Sequence, residues 1–380
     1  MRDRVLKTTT IFLLIAIFVS SFSIAAVSYA EEMEVMAPAR GMVLLEGNTN
    51  QVLYEFNANK SLPMASTTKI VTAIVAIENY PELDKIVRVS DKAVGIEGTS
   101  IYLKHGEEIT MRDLLFGLIL ASGNDCAVAI AEEVFGEEKF VTKMNEFASN
   151  LGLSSTHFAN PHGLDAEGHY TSAYDLACIT SYAMKNPILR EIVGTKYHNI
   201  KATNVYQERY LKHKNKLMFL DDNCIGVKTG FTDNAGRCLV SVYEKDGMQL
   251  ISVVLNCQPM FEEANRLTQN ALSEYKYKEW VKPYNYVSSI SIEDGDKNEI
   301  GLATIKGFAN IIRKSEEREY RVEYDLPEQI VAPIEANRPI GKVRVYKGEN
   351  VIFEEPLFAI DSCKNIDLKY TLDNILNNWI

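Results

Sequence analysis

The chain has 380 residues, more than one hydrophobic core ordinarily organises, so two folded regions or one large domain with an appendage are expected. Hydrophobic residues make up 46% and charged residues 24%, which excludes general disorder and a small disulfide-stapled scaffold. A formal net charge of −11 opposes attraction to polyphosphates and anionic surfaces, so nucleic acid is not expected as a partner.

Arg2, Arg4 and Lys7 precede an apolar run from Ile11 to Val19, and Ser28-Tyr29-Ala30 places small residues where a signal peptidase reads. Residues 1–30 are therefore expected to be a cleaved export signal, with an uncleaved membrane anchor as the alternative. Export permits disulfides, yet Cys126, Cys178, Cys224, Cys238, Cys257 and Cys363 show no framework spacing and mostly sit in apolar segments. They read as small buried hydrophobes; only Cys224 and Cys238, which flank an expected turn, are candidates for pairing.

Gly41 to Leu45 and Gln51 to Phe56 read as a hairpin around Glu46-Gly47-Asn48-Thr49-Asn50. Ser66 opens a stretch in which Ile70, Ala73, Ile74 and Ile77 recur at helical spacing, closed by Asn79-Tyr80-Pro81. Thr110 to Ala121 and Asp125 to Phe135 give two more helical patterns joined at Ser122-Gly123-Asn124, and Glu138 to Asn150 gives an amphipathic helix. Strand character returns at Cys224 to Thr229, Cys238 to Tyr243 and Leu250 to Leu255, the last two linked through Asp246-Gly247. Strands at both ends with helices between suit an α+β fold over residues 35–276, an antiparallel sheet covered by helices.

Beyond Trp280 the composition shifts to short β-rich segments: Tyr286 to Ile292, Ile300 to Ile305, Tyr320 to Tyr324, Ile340 to Tyr346 and Val351 to Phe353. A smaller all-β, sandwich-like domain over 284–362 is expected, with its boundary between Tyr275 and Tyr284. In the tail, residues 364–380, Leu372, Ile375, Leu376, Trp379 and Ile380 make one apolar helix face that could lie on a membrane or dock on its own protein.

A serine hydroxyl needs a base to become a nucleophile, and Ser66-Thr67-Thr68-Lys69 puts an amine one helical turn beyond a serine. The spacing alone is cheap, since Ser273-Glu274-Tyr275-Lys276 repeats it. Its company is not: Ser122-Gly123-Asn124 and Lys228-Thr229-Gly230 follow in order, one in a helix connection and one at a strand end, so that three parts of a core could meet at one cleft. His157, His162 and His169 lack the spacing of a helix-borne zinc pair, so structural loop histidines are expected, with no metal and no cofactor. Asp165 and Asp175 read as capping or surface acids, and Arg237 as a solvated strand start, with substrate contact as its alternative.

The three motifs resemble the signature of penicillin-binding proteins and serine β-lactamases. Within that superfamily, Pro63 to Lys69, Leu120 to Asp125, Asn160-Pro161-His162-Gly163-Leu164 and Gly226 to Thr232 resemble runs of the low-molecular-mass D-alanyl-D-alanine carboxypeptidases, and Ala332-Pro333-Ile334 to Gly341 looks like the β domain those enzymes carry. The resemblance implies an extracytoplasmic enzyme that removes terminal D-alanine from peptidoglycan stem peptides and is acylated by β-lactam antibiotics. It implies Ser66 as nucleophile, Lys69 as proton acceptor, Ser122 as proton relay and Asn124 as an orienting amide. Lys228 and Thr229 would hold the terminal carboxylate, Gly230 would let the backbone approach, and the amides of Ser66 and Phe231 would form an oxyanion hole. Phe231 departs from the histidine of some relatives, which leaves only its backbone a role. A β-lactamase, a D,D-endopeptidase and a non-catalytic wall-binding module stay open as alternatives; no Glu stands out as the water-activating carboxylate a β-lactamase needs.

Overall fold

The computed structural model describes residues 39–367 and Leu376. The export signal expected at 1–30 and residues 368–375 and 377–380 of the expected amphipathic tail lie outside the described residues.

The chain opens with β1 (Gly41–Glu46) and β2 (Val52–Phe56), an antiparallel hairpin. A single 3-10 turn, Ala65–Thr68, leads into helix α1 (Lys69–Asn79). Every side chain of α1 from Lys69 to Ile77 is buried, as in a helix packed on all sides. Short strands β3 (Ile86–Arg88) and β4 (Glu108–Thr110) bracket a long loop. Helix α2 (Met111–Phe116), capped by the Thr110 hydroxyl, runs into a π turn, Gly117–Ala121, that ends at Ser122. Helices α3 (Asn124–Val134) and α4 (Glu137–Asn150) match the expected pair.

Three helices escape the periodicity reading: α5 (Ala173–Ala183), capped by Ser172, α6 (Pro187–Gly194), capped by Asn186 with proline at its first position, and the helix that follows the last strand of the main sheet, Met260–Glu274. A small hairpin of β5 (Tyr197–Ile200) and β6 (Arg209–Lys212) follows. Then come β7 (Cys224–Thr232), β8 (Gly236–Lys245) and β9 (Met248–Leu255), with α7 (Met260–Glu274) after them.

The main sheet has the order β2-β1-β9-β8-β7, antiparallel throughout. The opening hairpin thus joins the late strands through β1 and β9, as the α+β expectation required. Nearly all of β1 and β9 is buried, so the sheet is covered on both faces, with α5 and α7 both packed on β9. This arrangement leaves β7 as an edge strand, and the edge faces the turn that carries Ser66.

The rest is all β. Strand β10 (Tyr275–Val281) follows α7 directly, so the segment expected to hold a boundary is itself a strand. It is followed by β11 (Tyr286–Glu293), β12 (Glu299–Ala303), β13 (Phe308–Arg313), β14 (Tyr320–Asp325), β15 (Gln329–Val331), β16 (Pro339–Lys347) and β17 (Asn350–Ala359). Strands β10 and β13 pair with each other; the other six form a sheet in the order β14-β16-β17-β12-β11-β15. Val281 of β10 shares a core with Ile290, Leu302, Val343, Val345 and Leu357 of the larger sheet.

All six cysteines are unpaired. The Cys224–Cys238 bridge weighed from the sequence does not form, because across β7 and β8 Cys224 faces Tyr243 while Cys238 faces Gly230. Among the described residues no helix is long and apolar enough to cross a membrane, and no group of His, Cys, Asp and Glu could hold a metal ion.

Candidate active site

Four segments meet at the edge of β7. The Ser66 turn is pinned by its own neighbours: Thr67 Oγ1 donates to Met64 O (2.6 Å) and Thr68 Oγ1 to Ala65 O (2.8 Å), while Ala65 sits at a φ of 48°. Two glycines let other segments close on this turn. A Cβ at Gly230 would lie 3.0 Å from Ser66 N and 3.1 Å from Met64 O, and one at Gly163 would lie 2.1 Å from Ala65 O. The close approach that Gly230 permits is therefore to the nucleophile's own turn.

Lys69 is fully buried. Its Nζ lies 2.9 Å from Ser66 Oγ and donates to Asn124 Oδ1 (2.6 Å) and to the His162 carbonyl. Two of its bonding directions are thus taken by carbonyl oxygens, and the third points at Ser66. Burial, joined by the positive charge of Lys214, pulls the Lys69 pKa down from about 10.5 to about 7. Near neutrality a large share of the molecules therefore carry a lone pair, which can face only the serine hydroxyl. Lys214, on the segment before β7, is one cation that disfavours the charged form of Lys69, and Lys69 and Lys228 disfavour each other's charge. Lys228 is itself held well below the usual lysine range by burial, Lys69 and Lys214.

Lys228 Nζ is also fully buried and donates to Ser122 Oγ (2.9 Å) and Thr229 O (2.8 Å). Ser122 stands in the left-handed region, φ 64°, a conformation that aims its hydroxyl at β7 rather than along the helix. Asn124 is engaged at both ends, since its Nδ2 donates to Glu97 O (2.6 Å). The loop before β4 is held by the neighbouring Asp125, whose carboxylate accepts from Ser100 Oγ, Ile101 N and Leu103 N. A buried ion pair, Arg209 with Glu107, ties the same loop to β6.

Of the three histidines, His162 contributes its carbonyl. His169 accepts at Nδ1 from Ala159 N (3.0 Å), which leaves Nε2–H to donate to Thr68 Oγ1 (2.8 Å). Burial pulls both rings down to about 4, so both are neutral at physiological pH. Asp175 is a buried acid that accepts from Ser155 N and Thr156 Oγ1, and Asp165 accepts from Thr232 Oγ1 (2.8 Å) at the end of β7.

A cavity of about 330 Å³ opens onto this cluster, lined by Ser66, Ser122, Thr229, Gly230 and Phe231 together with Lys214, Lys216, Arg237, Met260 and Phe261. The motif residues therefore converge. Sequence reasoning missed the His162 carbonyl, Lys214 and the Glu97 carbonyl. Two of these act through the main chain, which no side-chain motif reports, and Lys214 is one of many lysines until the fold brings it to the cleft. Arg237, read as a solvated strand start, lines the cavity.

A sheet edge facing a helix-borne serine with a buried lysine defines the class, and the chain belongs to the D-alanyl-D-alanine carboxypeptidase family, whose model matches residues 13–259. A second model, the C-terminal domain of penicillin-binding protein 5, matches residues 275–365. Among curated relatives, D-alanyl-D-alanine carboxypeptidase DacF of Bacillus subtilis is 32% identical over 99% of this chain and 98% of its own length. DacC of Escherichia coli is 30% identical over 90% and 89%. The crystal structure of penicillin-binding protein 5 from Haemophilus influenzae superposes with a TM-score of 0.67 at 26% identity, covering 87% of this chain and 98% of that one.

Proposed function

We propose that this chain is a serine D-alanyl-D-alanine carboxypeptidase acting on peptidoglycan stem peptides through an acyl-enzyme on Ser66. The observation that carries the reading is the buried Lys69 amine, 2.9 Å from Ser66 Oγ, with its other directions occupied by carbonyls. Lys69 takes the Ser66 proton as Oγ attacks the carbonyl of the penultimate residue. The amides of Ser66 and Phe231 receive the developing oxyanion. As the C–N bond breaks, a proton reaches the departing D-alanine amine by way of the Ser122 hydroxyl, which Lys228 holds in place. Water then cleaves the ester and regenerates Ser66. Asn124 fixes Lys69, and Thr229 presents its hydroxyl to the substrate from the edge strand.

β-Lactams would acylate Ser66 by the same steps. None of the residues lining the cavity is an Asp or Glu, so nothing there activates a water in the manner of a β-lactamase. A long-lived penicilloyl adduct follows. The reading includes export, with residues 1–30 as signal, 35–276 as the catalytic region and 284–362 as an accessory β region. The apolar face of the tail would give a peripheral membrane contact.

Labelling with a fluorescent penicillin tests the assignment. A band that survives denaturation and disappears in Ser66→Ala is expected; an intact wild-type protein that takes no label would make it a non-catalytic wall-binding module.

A further inference from the structure

A second cavity, of about 480 Å³, lies where the opening hairpin meets the β region, and the chemistry of the cleft makes no use of it. Asn310, Ile311, Ile312 and Arg313 line it in succession, because β13 pairs with β10 on one side and leaves its other edge open. That edge is poorly suited to an added peptide strand, since the Ile311 N–H already donates to Asn310 Oδ1 (2.8 Å). What the cavity offers instead is rings and idle polar groups. Tyr275, Phe308 and Tyr320 line it, and Tyr320 lies flat against Trp280, with ring centres 5.0 Å apart. Arg313 Nε donates to the Tyr275 hydroxyl (3.1 Å), but among the described residues its two terminal nitrogens, Asn310 Nδ2 and the Gln51 side-chain amide have no hydrogen-bond partner. Lys347 pairs with Glu316 (2.7 Å), which leaves Arg313 as the one uncompensated charge among the lining residues. Rings with planar amide and guanidinium donors around them suit a ligand that has an apolar face and a rim of hydroxyls and amides, which is the chemistry of an acetamido sugar.

We propose that this cavity holds an acetamido sugar of the peptidoglycan glycan strand, a second grip on the polymer away from the catalytic cleft. That the polymer is peptidoglycan rests on the carboxypeptidase reading. Gln51 sits beside Glu46, which pairs with Leu250, and Leu250 pairs with Tyr243, six residues along β8 from Arg237 at the cleft. The two sites are therefore roughly 20 Å apart along the sheet. A strand held by its sugar at one of them raises the effective concentration of its stem peptides at the other, an advantage that a free peptide does not share.

The test titrates the full-length protein with a peptide-free oligosaccharide of N-acetylglucosamine and N-acetylmuramic acid, read by calorimetry and by the emission of Trp280 in a Trp379→Phe background that leaves it the sole tryptophan. Saturable binding is expected, weakened about tenfold or more in Asn310→Ala with Arg313→Ala. In that double variant kcat/KM should fall about 5- to 20-fold on uncross-linked glycan strands bearing pentapeptides and stay within about twofold of wild type on the free pentapeptide. Gln51→Ala, on the opposite wall, should lower binding and polymer turnover in the same direction, and it carries the test if the double variant no longer labels with penicillin. A wild type that binds no saccharide up to about 10 mM, or penicillin-labelled variants that bind it as wild type does, would overturn the sugar site and leave the carboxypeptidase reading standing. A wild type that binds the saccharide but takes no penicillin would bring down the carboxypeptidase reading and leave the sugar site.

Discussion

A base that titrates near neutrality makes acylation depend on pH in a predictable direction. Because the Lys69 pKa is lowered to about 7, the amine is increasingly proton-free as pH rises through that value. The rate of penicillin acylation should climb about tenfold per unit below pH 7 and level off above it. Replacing Lys214 by Met removes a positive charge that helps hold Lys69 down, so the midpoint should move to higher pH in stopped-flow labelling. Lys69→Arg should reduce acylation by about 10²–10⁴-fold at every pH, because a guanidinium keeps its proton; a normal rate would remove Lys69 from the base role. Spacing alone does not produce this chemistry. Ser273 and Lys276 repeat it, but α7 ends between them, Ser273 donates to Asn270 O, and Lys276 pairs with Glu317 at the surface.

The cleft depends on how closely separate elements touch. Gly230→Ala would drive a methyl to 3.0 Å from Ser66 N and must move β7 away from the nucleophile's turn. A stability loss of about 1–3 kcal/mol in urea titrations is expected, with a larger drop in labelling rate than the folding defect explains. Arg209 and Glu107 are both buried, and together they fasten the loop that carries Thr99 to β6. Arg209→Leu leaves Glu107 without its counter-ion and should cost about 3–5 kcal/mol, whereas Arg209→Leu with Glu107→Leu should recover most of that. At this scale much was legible. The opening hairpin, α1, α3, α4 and the β7–β9 strands follow from period and turn residues. Strand β10 did not, because Tyr275 to Val281 alternates directly after a helix with no turn residue to mark the change. Nor did α5 and α6, in which the caps Ser172 and Asn186 carry more signal than any apolar stripe.

Across the whole molecule, six thiols stay reduced in a chain that the proposed function sends outside the cytoplasm. Unfolded in guanidinium without reductant, the protein should consume six equivalents of a thiol reagent. Four equivalents would reveal a disulfide. In the native state Cys178, the one partly exposed thiol, should react first: burial raises its pKa as well, but the other five are closed off from a reagent in solvent. Stability then rests on apolar packing: one large core joins the sheet to its helices, and a second, smaller one lies within the β region.

What the amino-acid order determined by itself is the opening hairpin, the first helices, the β7–β9 strands and the three reactive motifs, because helical and strand periods and turns are local properties of the chain. The tertiary structure decided that Lys214 acts on Lys69, that a histidine serves through its carbonyl, and that Arg237 belongs to the cleft. Those facts depend on burial and on distances between residues far apart in sequence. Neither is written in any short stretch of it.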